Sequence, residues 1–207
     1  MTENKLSYAA CFNKHYEQII KREKIVLTHC NFILMPHNFS NKLVNSLQVV
    51  SKYNISAQIS KSTMHEINYL KPLGLKVIKF DPINSVRDLN SLSGEYLNLC
   101  NKIILVFMQL LTKAYQRCFK FLHKRIMNEK SMTSYSVIQQ DLVTIYAEIN
   151  FVKQNLIASS AAIAINADKL LHIAIKLAEV SGAKAILAGD VITIVILISL
   201  FRQLYFS

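Results

Sequence analysis

Apolar residues recur every three or four positions at Ile103, Phe107, Leu110, Leu111, Ala114, Cys118 and Leu122, which predicts a long helix with one core-facing stripe. The stripe ends in a basic run, Lys120, His123, Lys124 and Arg125, placed where a helix dipole is negative. Residues 128–136 are polar and rich in Ser, Thr and Asn, chemistry that stops one helix and caps the next. A second helix carries Val137, Ile138, Leu142, Ile145, Tyr146, Ile149, Val152 and Leu156 on one side. A third starts near Asn166-Ala167-Asp168, shows Leu170, Leu171, Ala174, Ile175, Leu177 and Ala178, and stops at Ser181-Gly182. The last apolar run is Val191 to Phe201.

Upstream of Gly94 the period shortens. Ile25 to Pro36 is β-branched and apolar and reads as one buried strand; His37 to Ser46 reads as a loop. Leu47 to Ser60 alternates in part, with Val49, Tyr53, Ile55 and Ala57. Leu75 to Phe80 reads as a strand, closed by a turn at Asp81, Pro82 and Asn84. Residues 1–24 predict a short surface helix with Tyr8, Phe12, His15 and Ile19 on one face. The fold class expected is mainly α: a C-terminal four-helix up-down bundle over residues 94–207, behind a small β-containing N-terminal segment over residues 1–93.

Composition sharpens this picture. Hydrophobic residues make up 52% of the 207 and charged residues 18%, which excludes a disordered chain; four Gly and three Pro leave little turn punctuation, as long helices require. The final run has to be weighed as a membrane anchor. The stretch from Ala183 to Phe201 is long enough to span, but Lys184 and Asp190 interrupt it and leave only the run from Val191, and a charge near a bilayer centre costs roughly 2.5–3.5 kcal/mol. A buried core element is the expectation, and a membrane partner is disfavoured. Cys11, Cys30, Cys100 and Cys118 lack CxxC spacing and no signal sequence opens the chain, so a reduced cytoplasmic protein is expected.

The net charge of +11 asks for an anionic partner or a plainly basic surface. Lys113, Arg117, Lys120, Lys124, Arg125 and Lys130, with Tyr115 and Phe119 among them, form a stripe of the kind that neutralises phosphates. No base-reading motif accompanies it, so nucleic acid is disfavoured against an anionic cofactor or an acidic protein such as an acyl carrier protein. The six histidines have no metal-binding spacing; the adjacent His29 and Cys30 stand alone. GxSxG, GxGxxG and P-loop patterns are absent. Asp141 and Glu148, two turns apart, read as a solvated face.

Over residues 25–207 the chain resembles the C-terminal part of acyl-CoA dehydrogenases, the end of their middle β-domain followed by their helical bundle. Phe80-Asp81-Pro82-Ile83 to Leu89 is similar to the junction between the two, and Leu122-His123-Lys124-Arg125 to the end of the family's first bundle helix. Gln139 and Tyr146, and the stretch Gly182 to Arg202, then fall in register without a gap. The resemblance implies a flavoenzyme that holds FAD across a subunit interface. It takes a proton from the α carbon of an acyl thioester while flavin N5 takes a hydride from the β carbon.

By position, the resemblance implies cofactor contacts at Arg125, Ser136, Lys184 and Gly189. Arg125 corresponds to the arginine that contacts the FAD pyrophosphate, for which a planar, permanently charged guanidinium is well suited. The chain departs from the pattern around it. The aromatic-glycine pair after the arginine is Asn128-Glu129, the cofactor-contacting glutamine is Ser136, the loop glutamine is Lys184, and two loop glycines are Leu187 and Ala188. Catalytic positions depart further. The family's glutamate base on the first bundle helix falls on Leu99 and its neighbouring arginine on Cys100; Glu95 is one turn away, roughly 5 Å along the axis. The alternative base position lies past Ser207, and the N-terminal helical domain has no counterpart.

The functional expectation is therefore a truncated, non-catalytic or partner-dependent subunit, a pseudoenzyme that forms a homo-oligomer or pairs with a complete acyl-CoA dehydrogenase relative. FAD shared across an interface and no flavin at all are equal cofactor readings, and no catalytic or metal-binding residue is assigned. A residual FAD-dependent oxidoreductase on acyl thioesters, with a base supplied from elsewhere, and a basic helical binding module without flavin are the alternatives.

Overall fold

The computed structural model describes residues 7–29, 32–44, 46–51, 56–65, 67–84, 89–155, 160–182 and 190–206. The fold is mainly α, with a small β segment, and divides into two compact units: residues 1–106 with 203–207, and residues 107–202.

The first unit is built on a closed five-stranded barrel in the order β1-β2-β5-β4-β3. Its strands are β1 (Ile25–His29), β2 (Phe32–Pro36), β3 (Gln48–Val50), β4 (Ser56–His65) and β5 (Leu75–Asn84). All neighbours are antiparallel except β1 and β3, whose parallel pairing (Val26 opposite Val49) closes the ring. Four sequence expectations are corrected here. Ile25 to Pro36 is a hairpin of two strands rather than one, with Thr28 opposite Ile33. Val26 to Thr28 and Ile33 to Pro36 are buried on both faces, so the apolar run continues through the reversal and hides it. The partly alternating stretch Leu47 to Ser60 holds parts of two strands, β3 and β4. Asp81 to Asn84 is a continuation of β5, with Pro82 beside an irregularity in β4 between Ile59 and Lys61, where a residue without an N–H is tolerated. The 37–46 loop contains a helical turn, α2 (Asn41–Val44).

Helix α1 (Tyr8–Glu23) packs against β1 and β2. Its core face is Tyr8, Phe12, Tyr16 and Ile20, all buried, whereas His15 and Ile19 flank it at intermediate exposure. It is a core helix rather than a surface one, since a strict four-residue spacing of large side chains faces the barrel. A 3-10 helix, η1 (Asn68–Leu73), leads through Gly74 into β5.

The long helix α3 (Leu89–Lys124) starts in the first unit and continues in the second, where it joins α4 (Ser136–Gln154), α5 (Ser160–Ser181) and α6 (Asp190–Phe201) in an up-down four-helix bundle. The rings of Phe107 on α3 and Phe201 on α6 meet edge to face at 5.6 Å. Ser181 Oγ on α5 contacts Cys118 Sγ on α3 at 3.1 Å. Tyr115 on α3 and Tyr146 on α4 approach at 6.0 Å. Gly182, at φ 59°, ends α5 as expected, its N–H reaching Ala178 and Glu179 carbonyls. The start of α5 lies earlier than expected. Asn166 is not a cap but a buried residue inside the helix, donating its amide to the Asn155 carbonyl at the end of α4 (3.0 Å).

The apolar run Val191 to Phe201 is a core helix, with Val191, Ile194, Leu197, Ile198 and Phe201 buried. Among the described residues one helix, Gly94–Lys124, is long and apolar enough to cross a membrane, and 56% of its apolar window is buried inside the protein. After α6 the chain widens into a π-helical turn (Arg202–Phe206), and the first unit takes in Tyr205 and Phe206, both buried.

Candidate functional site

In the second unit, the chemistry gathers on the connection between α3 and α4. The last turn of α3 gives way to a two-stranded hairpin, β6 (Ile126–Met127) and β7 (Lys130–Ser131), turned by Asn128 and Glu129. Both turn residues have positive φ, 47° and 63°, the conformation that a tight two-residue hairpin requires. The hairpin is fastened to the helix ends. Met132 N–H donates to the Arg125 carbonyl (2.9 Å), Ser131 Oγ to the His123 carbonyl (2.9 Å), and the Tyr135 hydroxyl to the Met127 carbonyl (2.7 Å). A polar connection thus becomes a rigid one, because its Ser and Tyr side chains satisfy carbonyls that the helix end and the strands leave open.

Arg125 is exposed, its guanidinium 6.0 Å from the centre of the Phe121 ring, and among the described residues it forms no ion pair. Ser136 is the first residue of α4 and is exposed; Tyr135 caps that helix without a side-chain hydrogen bond, and no acid occupies the first turn. Arg125 and Ser136 therefore share one connection with an open helix N-terminus, a cation and free backbone donors in reach of an anion. Lys184 and Gly189, like Leu187 and Ala188, lie outside the described residues.

A second cluster belongs to the first unit. Leu99 is 2% exposed and Cys100 fully buried, so the position that the resemblance gives to a base is held by core packing. Burial pushes the Cys100 thiol up to about 12 against a weaker opposing hydrogen bond from Tyr96, which keeps it protonated and unreactive. Around it sit three buried tyrosines. Tyr16 donates to the Leu34 carbonyl (3.0 Å), Tyr205 accepts from the Leu34 N–H (3.1 Å), and Tyr96 donates to the Tyr205 carbonyl. Burial raises both the Tyr16 and Tyr205 phenols, and the Cys100 and Tyr205 groups raise Tyr16 further. One turn before Leu99, the Oε2 atom of Glu95 is buried without a hydrogen-bond partner. Only the spacing of Tyr8, Phe12, Tyr16 and Ile20 could have signalled this cluster from sequence; the contribution of Tyr205 had no local sign.

No protein-family model matches this chain, and no curated protein matches it. Solved structures do. An FAD-dependent dehydrogenase superposes with a TM-score of 0.65 at 8% identity, over 94% of this chain and 76% of its own. A glutaryl-CoA dehydrogenase from Mycobacterium smegmatis in complex with FADH2 gives 0.60 at 10% identity, over 87% and 58%. A glutaryl-coenzyme A dehydrogenase bound to glutaryl-CoA gives 0.54 at 8%, over 83% and 51%. The chain has an acyl-CoA dehydrogenase-like fold.

In this acyl-CoA dehydrogenase-like fold the chain spans little more than half the length of either glutaryl-CoA dehydrogenase. Identities this low establish the fold alone. Among the described residues no three His, Cys, Asp or Glu side chains gather as a metal site. Glu148, expected on a solvated face, is 3.0 Å from His172 and 3.7 Å from Lys169, an ion-pair cluster rather than a catalytic pair with Asp141.

Proposed function

We propose that this chain is a non-catalytic or partner-dependent subunit of a flavin-dependent acyl-thioester dehydrogenase, assembling with itself or with a complete relative. The observation that carries the reading is Leu99. In an acyl-CoA dehydrogenase-like fold, a fully packed leucine at the position the resemblance gives to the catalytic glutamate supplies no base. Leu99 cannot become a base by rotation, and Cys100 beside it is protonated at any physiological pH.

The residues present fit part of an FAD. Arg125 carries a permanent charge, with no ion pair among the described residues, on a hydrogen-bonded connection, and the uncapped start of α4 at Ser136 adds backbone donors, so a pyrophosphate would find partners there. Glu129 on the same hairpin turn opposes it, and Asn128 and Glu129 replace the aromatic-glycine pair. When bound, FAD supplies hydride acceptance; Arg125 and Ser136 would only hold its phosphates, lent to a cofactor seated in a partner. Association is further supported by α4, which exposes Val137 (70%), Val143 (67%) and Tyr146 (56%), more apolar surface than an isolated bundle face gains from. An acidic acyl carrier protein would suit the basic surface of the same subunit.

The test is an absorbance spectrum of the purified protein with and without FAD, alone and mixed with a complete acyl-CoA dehydrogenase, with light scattering for mass. A flavin band that appears only in the mixture, and weakens with Arg125→Ala, is the expected result. A stable oligomer without flavin in either sample would leave a scaffold role and refute the cofactor contact.

A second reading, a residual oxidoreductase, is favoured by Glu95. Its buried, unpartnered oxygen is the carboxylate nearest in sequence to Leu99, one helical turn away. Turnover of an acyl thioester by the protein alone, abolished by Glu95→Gln, would establish it. The third, a basic module without flavin, rests on the net charge and on the basic stripe from Lys113 to Lys130.

A further inference from the structure

The hairpin between α3 and α4 carries a feature that a flavin contact does not use. Ile126 is 64% exposed and Met127 46% exposed, consecutive on β6, with Lys124 and Arg125 immediately before them and Lys130 opposite Met127 on β7. From residue 113 to residue 130 the chain has six cations and one acid, Glu129. Lys113, Arg117, Lys120 and Lys124 lie on one exposed stripe of α3 that leads into the hairpin, and Phe119 on the same turns is 42% exposed.

We infer that this hairpin and the basic end of α3 dock on an anionic membrane surface, with Ile126 and Met127 entering the headgroup layer and the lysines and arginines binding lipid phosphates. The element is pre-ordered for this. The carbonyl of Arg125, the carbonyl of Met127 and the hydroxyl of Ser131 are all tied by hydrogen bonds, so the two aliphatic side chains are presented without a folding cost on binding. Exposed aliphatics on a short strand, with Lys124 and Arg125 before them and Lys130 across from Met127 against the single acid Glu129 in the turn, have the chemistry of shallow interfacial insertion, which needs no pocket on the other side. Four of the six cations are lysines, a residue depleted from the cores of protein interfaces. Two exposed aliphatics on β6 add nothing to phosphate-backbone binding, so a nucleic acid fits the charge but leaves Ile126 and Met127 unexplained. This is attachment to a surface; the buried α6 is not an anchor.

The test is co-sedimentation of the full chain with vesicles of phosphatidylcholine alone and of equal parts phosphatidylcholine and phosphatidylserine, at low and at physiological salt. We expect binding to the mixed vesicles only, weakened by salt. It should fall roughly tenfold or more in Ile126→Asp/Met127→Asp and in Lys113→Glu/Lys120→Glu. All four side chains are exposed, and both variants should keep the wild-type circular dichroism spectrum. Arg125 is untouched in both, so loss of the flavin contact and loss of membrane docking are scored separately. Absence of co-sedimentation would overturn the inference. So would vesicle binding that the Ile126/Met127 variant retains, or binding to duplex DNA of equal strength that this variant also retains, which would mark the stripe as a phosphate-backbone binder.

Discussion

Leu34 and Tyr205, 171 residues apart in sequence, meet inside the first unit, where the Leu34 N–H donates to the Tyr205 hydroxyl at 3.1 Å. The registered pairing of β1 with β2 runs only from Thr28 opposite Ile33 to His29 opposite Phe32, so beyond Ile33 that edge of β2 has no strand partner among the described residues. Tyr16 takes the Leu34 carbonyl and Tyr205 its N–H. Two phenols from opposite ends of the chain complete a barrel strand, as buried backbone groups demand.

Removing one phenol should therefore cost more than a typical hydrogen bond. Tyr205→Phe leaves a buried N–H without its acceptor, and a loss of about 1–3 kcal/mol is expected in urea unfolding. A loss within error of zero would mean that water takes over the N–H.

The same cluster fixes the response to alkali. Burial raises the Tyr16 and Tyr205 phenols above their ordinary 10.0 and the Cys100 thiol from 9.0 to about 12. In the unfolded chain these groups lose their protons first, so above pH 9 the unfolded state binds fewer protons than the folded one. The stability they contribute is complete below pH 9 and is lost progressively as pH rises, first through Cys100 and then, above pH 10, through the tyrosines. Urea titrations from pH 8 to pH 11, on the order of one unit either side of the ordinary values, should show a steady decline that is shallower in Tyr205→Phe. A flat profile would contradict the burial of these groups.

Gly74 joins η1 to β5 at φ 67°, and a Cβ there would collide with Asn13 Nδ2, which donates to the Leu73 carbonyl at 2.7 Å. Gly74→Ala meets both backbone strain and the loss of this link between α1 and η1. A destabilisation of about 1–3 kcal/mol is expected, part of which Asn13→Ala should recover in a double-mutant cycle. Additive effects of the two substitutions would rule out the steric coupling.

Phe201 closes the bundle core at full burial against Phe107. Phe201→Ala should cost about 3–5 kcal/mol in thermal or urea unfolding of the protein in water. A substitution that left stability in water unchanged would take α6 out of the core.

Arg125→Ala, by contrast, should be nearly silent for stability. Its guanidinium is exposed and its ring contact with Phe121 is worth about 0.5–1 kcal/mol at a surface. The expected loss is confined to the flavin band of the mixture with a complete relative; a collapse of the melting temperature would make the residue structural.

What the sequence determined on its own is the bundle. Three- and four-residue spacings from Ile103 to Val152 are a local signal, because a helix closes its own hydrogen bonds and each stripe needs only some apolar partner. The placement of Leu99 and Cys100 on the first bundle helix was legible for the same reason. The barrel was not. Its first two strands are buried on both faces, so Ile25 to Pro36 has no alternation to mark the reversal, and closure depends on Val26 finding Val49 and on β4 shifting register opposite Pro82. Nor could Asn166 be told from a cap, since its role depends on where the Asn155 carbonyl ends up. Only the tertiary structure decided which polar groups would be buried. Tyr205 has a function because β2 runs short of a partner strand at Leu34, and that shortage exists only once the barrel has closed.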